Sequence, residues 1–119
     1  MPLLPPETAI FAPDDISNHT LLIGRLIELT ALRYTPAGIP VLNFRIAHVS
    51  QQIEAGVKRN VDCEISAVIL GTNAQLLTGA KLGDELKLTG FLAAKSLKSR
   101  TLVLHVNEIE FLEGNQHGI

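Results

Sequence analysis

The sequence predicts an all-β domain built from five strands. Three observations carry this prediction: apolar and polar residues alternate in several stretches, glycines interrupt two of these stretches, and turn signals separate them. The chain has 119 residues, of which 46% are apolar but only 4% aromatic, so we expect one core of Leu, Ile and Val side chains. Residues 18–113 should form this domain, with a flexible proline-rich arm at residues 1–17 and a short polar tail at residues 114–119.

The first predicted strand covers Asn18–Leu29 and is apolar on both faces. Gly24 lies in its middle, which indicates a bend or a bulge. A strand with two apolar faces requires cover on both sides. We therefore expect a homodimer in which Leu22 and Leu26 form the interface.

A turn and a half-buried strand follow. In Thr35–Gly38 the proline pre-sets φ and the glycine accepts a positive φ, which predicts a turn. Pro40 cannot donate a hydrogen bond to a sheet, so the second strand should run from Val41 to about Ser50. Its polar face carries Arg45.

The rest of the domain shows the same alternation in three further stretches. Strands are predicted at residues 61–69, 86–92 and 101–111, the last with a bulge near Asn107 because its apolar residues change phase there. The connections are a polar loop at residues 51–60, one or two helical turns within residues 71–83, and a basic loop at residues 94–100.

Five strands, two of them with internal glycines, predict a Greek-key OB-fold barrel with extended hairpin loops. In this fold one sheet face and its neighbouring loops bind oligonucleotides or oligosaccharides. A five-stranded sandwich of different topology is the alternative architecture.

Charge is distributed unevenly along the chain. The formal net charge of −2 provides no global basic signal, but no acidic residue occurs between Gly90 and Asn107, and six of the ten cations fall in or beside three loops. Tyr34 is the only plausible platform for stacking a base. The candidate DNA-binding residues are Arg33, Tyr34, Arg45, Lys58, Arg59, Lys95, Lys98 and Arg100.

The sequence offers no candidate catalytic residue, no metal-ligand spacing and no cofactor motif. Its single cysteine, Cys63, excludes an internal disulfide and is expected to be a small core residue. No stretch has the apolar length of a membrane span, and the N-terminus lacks the features of a signal peptide. We therefore expect a cytoplasmic protein with no membrane partner that is not an enzyme.

Three segments resemble a known family. RYTPAGIPVLNFRIAH (Arg33–His48), EAGVKRNVDCEI (Glu54–Ile65) and GFLAAKSLKSRTLVLHVNEIEFL (Gly90–Leu112) are similar, in this order, to primosomal replication protein N (PriB). The resemblance implies an OB-fold homodimer related to single-stranded DNA-binding (SSB) protein. It also implies that the chain binds single-stranded DNA and assists the primosome helicase in replication restart at stalled forks, with helicase-loading factors as further partners.

The family pattern places DNA-contacting cations at Arg33 and in the last loop, where Lys95, Lys98 and Arg100 match its lysines. This chain departs from the pattern in three places. Asp62 stands where well-studied members carry a stacking tryptophan, Val57 where they carry a loop aromatic, and Val49 where they carry an arginine. We therefore expect weaker DNA binding, with protein contacts contributing relatively more.

Two alternative functions belong to other classes. The chain could be an OB-fold interaction adapter of the primosome in which DNA binding is weak or vestigial; Asp62, Val57 and the net charge of −2 favour this hypothesis. An ordinary single-stranded DNA-binding protein is less expected, because the long tail with an acidic tip that those proteins carry is not part of this sequence.

Overall fold

The structure is a computed structural model that describes residues 15–112. The polar tail and most of the proline-rich arm that the sequence predicts lie outside the described residues. Within this range the chain forms six strands and one short helix: β1 (Thr20–Leu29), β2 (Arg33–Tyr34), β3 (Pro40–Glu54), β4 (Val57–Leu70), α1 (Thr72–Leu77), β5 (Glu85–Ala94) and β6 (Leu102–Phe111).

Five of these strands close into a barrel. The hydrogen-bonded order is β1-β5-β6-β4-β3-β2, and β1 also pairs with β3, which completes the closure. The β4–β6 pairing is parallel, whereas the other pairings are antiparallel. This is the OB-fold barrel that the sequence predicts, and the sandwich alternative is wrong.

Two glycines allow strands of the barrel to approach closely. A Cβ at Gly24 would lie 2.7 Å from the backbone oxygen of Ala47, at the point where β1 passes from β5 to β3. A Cβ on Gly90 would collide with the backbone oxygen of His105. Opposite Gly90 the register skips Asn107, which confirms the predicted bulge in the last strand.

The polar segment at residues 51–60 was predicted to be a loop, but it forms the end of a β-hairpin. β3 and β4 pair without interruption as far as Glu54 and Val57, and a two-residue turn joins them. Its central residues have φ of 54° at Ala55 and 77° at Gly56, as in the tight turns that hairpins favour. The prediction failed because this part of the hairpin is exposed on both faces and lacks the apolar alternation that marks a half-buried strand.

Two smaller expectations also require correction. β3 begins at Pro40, one residue earlier than expected, because Arg33 and Tyr34 form β2 and pair with its start. Proline is tolerated here at the first position of the strand. Cys63 is exposed and does not belong to the core, because it lies on the part of β4 that extends beyond the barrel.

The core is aliphatic, as predicted, with Phe44 as its aromatic member. α1 contributes Ala74 and Leu77 to the core and packs against β3, β4 and β6. The largest fully buried side chains are Leu26, Leu42, Ile46, Ile69, Leu77, Leu86, Leu88 and Leu104.

The expected dimer interface at Leu22 and Leu26 is wrong. Leu26 is fully buried in the core of its own barrel, and Leu22 packs against that core. The exposed face of β1 carries Leu21 and Ile23, which are 52% and 40% exposed. Since both faces of this strand are apolar, alternation alone could not show which one turns inward.

Candidate nucleic-acid interface

A groove lies on the outer face of the sheet formed by β3, β4 and β6. The side chains that alternate with the core residues of these strands point away from the barrel interior. They line a groove of about 640 Å³ together with side chains from β1, β2 and the β5–β6 loop. Its polar lining includes Glu28, Arg33, Asn43, Arg45, Ser66, Lys95 and His105.

Arg45 lies within this groove and is held from several sides. Its Nη1 donates to Ser66 Oγ at 2.8 Å, and its Nη2 donates to Glu64 Oε1 at 2.9 Å. Glu28 Oε1 lies 4.0 Å from Arg45 Nε. The guanidinium is therefore oriented for a ligand, but two carboxylates neutralise part of its charge.

Arg33 reaches the groove from β2. Its Nη2 donates to Asn43 Oδ1 at 3.1 Å, which directs the side chain over the face of β3. The turn that positions β2 is closed by the Gly38 N–H, which donates to Thr35 O at 2.8 Å. Tyr34 is 57% exposed but does not line the groove. Because adjacent residues of a strand point to opposite faces, the two β2 side chains separate here.

The basic β5–β6 loop is a closed turn. The Lys95 N–H donates to Thr101 O at 2.8 Å, and the Ser99 N–H donates to Ser96 Oγ at 2.9 Å. These bonds place the Lys95 side chain at the wall of the groove. Lys98 and Arg100 are exposed on the same loop but do not line the groove.

The predicted basic pair on the hairpin is separated from the groove. Arg59 donates to Glu54 Oε1 at 3.0 Å, and alternation places Lys58 on the opposite face, which it shares with Arg45. Lys58 pairs with Ile53, eight residues beyond Arg45 on β3, so the two cations lie about 26 Å apart at the usual strand rise. The structure thus brings Arg33, Arg45 and Lys95 together and leaves Lys58 and Arg59 at a distance.

An aromatic pair that the sequence analysis did not single out lies beside the groove. The rings of Phe91 and His105 are stacked, with centroids 5.0 Å apart and an interplanar angle of 9°. The two residues are register partners on β5 and β6. The alternation in both sequences could have placed each ring on the outer face of its strand. Only the register of β5 against β6 shows that the two rings are in contact.

A second concave surface lies on the outer face of β1, β5 and β6. Leu21 lies in it among charged side chains from the neighbouring strands, including Lys87, Glu108 and Glu110. Residues 20–24 of β1 pair with β5 alone, because the β1–β3 pairing begins at Arg25. Ile23 O accepts a hydrogen bond from His48 Nδ1 at 2.7 Å, so among the described residues the backbone edge is unpaired over residues 20–22, beside the exposed Leu21 side chain.

Two negative findings concern residues 15–112. Nowhere in this range do three His, Cys, Asp or Glu side chains come together as metal ligands. Its only helix, α1, is too short to cross a membrane.

A five-stranded closed barrel with a basic groove on the β3–β4 face defines an OB-fold domain of the oligonucleotide-binding class. The family model described as "Another single-strand binding protein family" matches residues 18–108. Among curated relatives, replication restart protein PriB from Nitrosomonas europaea is 34% identical over 95 residues, which are 80% of this chain and 88% of the relative. The Bordetella pertussis protein of the same name is 40% identical over 98 residues, covering 82% and 92% of the two chains.

Solved structures agree with these relationships. PriB from Ralstonia solanacearum superimposes with a TM-score of 0.72 at 35% identity, covering 80% of this chain and 98% of that one. The single-stranded DNA-binding protein from Thermus aquaticus gives a TM-score of 0.65 at 26% identity, covering 83% of this chain and 52% of that one. The chain belongs to the single-strand binding protein family and, within it, to the replication restart protein PriB family.

Proposed function

We propose that this chain binds single-stranded DNA in the groove on its β3–β4 face and acts in replication restart as a binding protein without catalytic activity. The observation that carries the proposal is the convergence of Arg33, Arg45 and Lys95, three cations from separate elements, on one groove. Among the described residues two carboxylates approach these cations, Glu28 in the lining and Glu64 on Arg45. Phosphate neutralisation by such cations supplies most of the affinity of non-specific nucleic-acid binding.

Each cation has a distinct part in this proposal. Lys95 forms no ion pair with the described residues and presents its charge at the groove wall. Arg33 is oriented by an amide oxygen and keeps its full charge. Arg45 makes the most side-chain hydrogen bonds of the three, and two carboxylates neutralise part of its charge. Lys98 and Arg100 extend the basic field along the loop, and Lys58 and Arg59 extend it along the hairpin.

The wider role follows from the family. Relatives that are 34% and 40% identical carry the name replication restart protein. We therefore propose that the chain works at stalled forks in the cytoplasm, together with the primosome helicase and helicase-loading factors.

The chain is also proposed to form a homodimer through the exposed face of β1. Leu21 and Ile23 are exposed there, and the backbone edge at residues 20–22, which pairs with β5 alone among the described residues, is open to pairing with a second copy. Because a strand edge of this kind pairs readily with its own symmetry mate, a two-fold contact covers both the apolar side chains and the backbone groups.

The first test is a titration of a labelled thymidine oligonucleotide with the protein. Binding is measured by fluorescence anisotropy at low and at physiological salt. We expect salt-sensitive binding, and Lys95→Ala should weaken it and reduce the slope of log K against log salt by about 0.7, the value for one phosphate contact on a single strand. Lys81→Ala, which removes an exposed lysine outside the groove, is the matched control. Absence of binding at low salt would refute the proposal.

A second candidate function, a protein-interaction adapter, is favoured by one observation. Leu97 is 95% exposed at the tip of the basic loop, which suits a contact with a partner protein more than a contact with phosphate. Feeble DNA binding that does not respond to Lys95→Ala would favour this function.

A further inference from the structure

The outer face of β5 and β6 carries a stacked aromatic pair that takes no part in the core. Phe91 is 37% exposed and His105 is half-buried, and neither belongs to the buried core cluster. Their centroid distance of 5.0 Å is close to the spacing of adjacent strands, and the interplanar angle of 9° means that the two rings stack face to face. An aromatic pair of this kind on the open face of a sheet is the usual platform for unstacked bases.

Only one of the two rings borders the groove. His105 lines the groove, whereas Phe91 lies on the far side of the pair and does not. On its other side His105 is paired in register with Val68 of β4, whose side chain is too small to cover an imidazole face. Val68 and Val103 also line the groove, so the space next to the imidazole has an apolar floor.

Two cations line the groove in which a base would contact His105, and they are available to the phosphates of the same strand. Lys95 and Arg45 line the same groove as His105, so a nucleotide whose base meets the imidazole has cations within the groove for its phosphates. Ser66 and Asn43 add hydrogen-bonding groups to the lining, and neither selects a particular base by itself. Flat apolar space beside an aromatic face, bordered by cations, matches the chemistry of one nucleotide unit.

We propose that a nucleobase of the bound strand stacks on the imidazole of His105 and extends the Phe91–His105 stack into the groove. This inference deepens the proposed function and rests on it. Stacking of this kind makes the contact depend on the presence of a base and tolerant of which base it is. It assigns a stacking role to residues other than Tyr34, the platform that the sequence alone suggested.

The test compares a thymidine oligonucleotide with an abasic strand of the same length at low salt. His105→Leu keeps an apolar side chain but removes the aromatic plane, so it should weaken binding of the thymidine strand by about fivefold or more while binding of the abasic strand stays within twofold. His105→Phe should retain affinity, which separates stacking from a general structural effect. Phe91→Leu should show a smaller loss with the same dependence on the base. Phe111→Leu, which removes an exposed aromatic ring outside the groove, is the control.

A fluorescence measurement detects stacking directly, without relying on a change in affinity. The chain has no tryptophan, so His105→Trp introduces a single indole at the proposed contact. The thymidine strand should quench its emission, and the abasic strand should not. The inference is overturned if His105→Leu leaves binding unchanged, or if it weakens both strands equally, while Lys95→Ala still lowers affinity. A wild-type chain that binds neither strand overturns the proposed function as well.

Discussion

The ion pair between Arg45 and Glu64 limits how strongly the groove attracts phosphate, and Glu64→Gln should relieve that limit. Glu64 Oε1 accepts a 2.9 Å hydrogen bond from Arg45 Nη2, and Glu28 approaches the same guanidinium at 4.0 Å. Glutamine has nearly the same shape as glutamate and its amide oxygen still accepts this bond, so the guanidinium keeps its orientation while one negative charge is removed.

The size of the effect follows from Coulomb's law. A phosphate on the free edge of the guanidinium would lie about 7 Å from the Glu64 carboxylate, by the usual lengths of charge-assisted hydrogen bonds. The Glu64 side chain is 54% exposed, so the dielectric constant of water applies, and the repulsion amounts to about 0.6 kcal/mol. Its removal should strengthen DNA binding by about threefold at low salt, and by less at physiological salt because of screening.

The assay is the same oligonucleotide titration at two salt concentrations. Glu108→Gln removes an equal charge from the second concave surface and is the matched control, expected to leave affinity nearly unchanged. Equal affinities for wild type and Glu64→Gln at low salt, or a decrease, would show that Arg45 does not contact phosphate.

Three further predictions concern the barrel and its assembly. Gly90→Ala should lower the free energy of unfolding by about 1–3 kcal/mol, because its Cβ meets the backbone of β6; chemical denaturation measures this, and an unchanged midpoint would contradict the close approach. Asn18→Ala should lower the free energy of unfolding by about 1–2 kcal/mol, since the Asn18 side chain donates to Leu92 O at 2.8 Å and accepts from Leu92 N at 2.9 Å. A decrease of less than about 0.5 kcal/mol, the lower end for one hydrogen bond, would refute this prediction. Leu21→Asp should convert a dimer into a monomer in light scattering, whereas Leu82→Asp, at a more exposed leucine outside β1, should not. A monomeric wild type would exclude the homodimer.

Much of the strand framework was predictable from local patterns. The phase change at Asn107 predicted the bulge, and the glycine at position 24 marked the place where β1 passes between two partners. The segment around α1 was predicted as one or two helical turns and forms a six-residue helix. Period-two alternation and glycine punctuation reflect the backbone and one buried face, so the sequence carries them directly.

The errors share a physical cause, which is that local patterns do not show what packs on an exposed or doubly apolar surface. The distal hairpin has no buried face, so the sequence of its strands resembled that of a polar loop. Cys63 resembled a core residue because it alternates with polar residues, but it lies on the part of β4 that extends beyond the barrel. Leu22 and Leu21 lie on opposite faces of one apolar strand, and only the packing of the barrel shows which face turns inward.

For the candidate site, the sequence by itself determined the residue types and their loops, and the tertiary structure decided which of them meet. Arg33, Arg45 and Lys95 converge because barrel closure brings β2, β3 and the β5–β6 loop to one face, whereas Arg59 is paired with Glu54 on a distant hairpin. The Phe91–His105 stack likewise depends on the register of β5 against β6. Charge content is a property of the chain, but distance between residues far apart in sequence is a property of strand pairing, which only the folded barrel specifies.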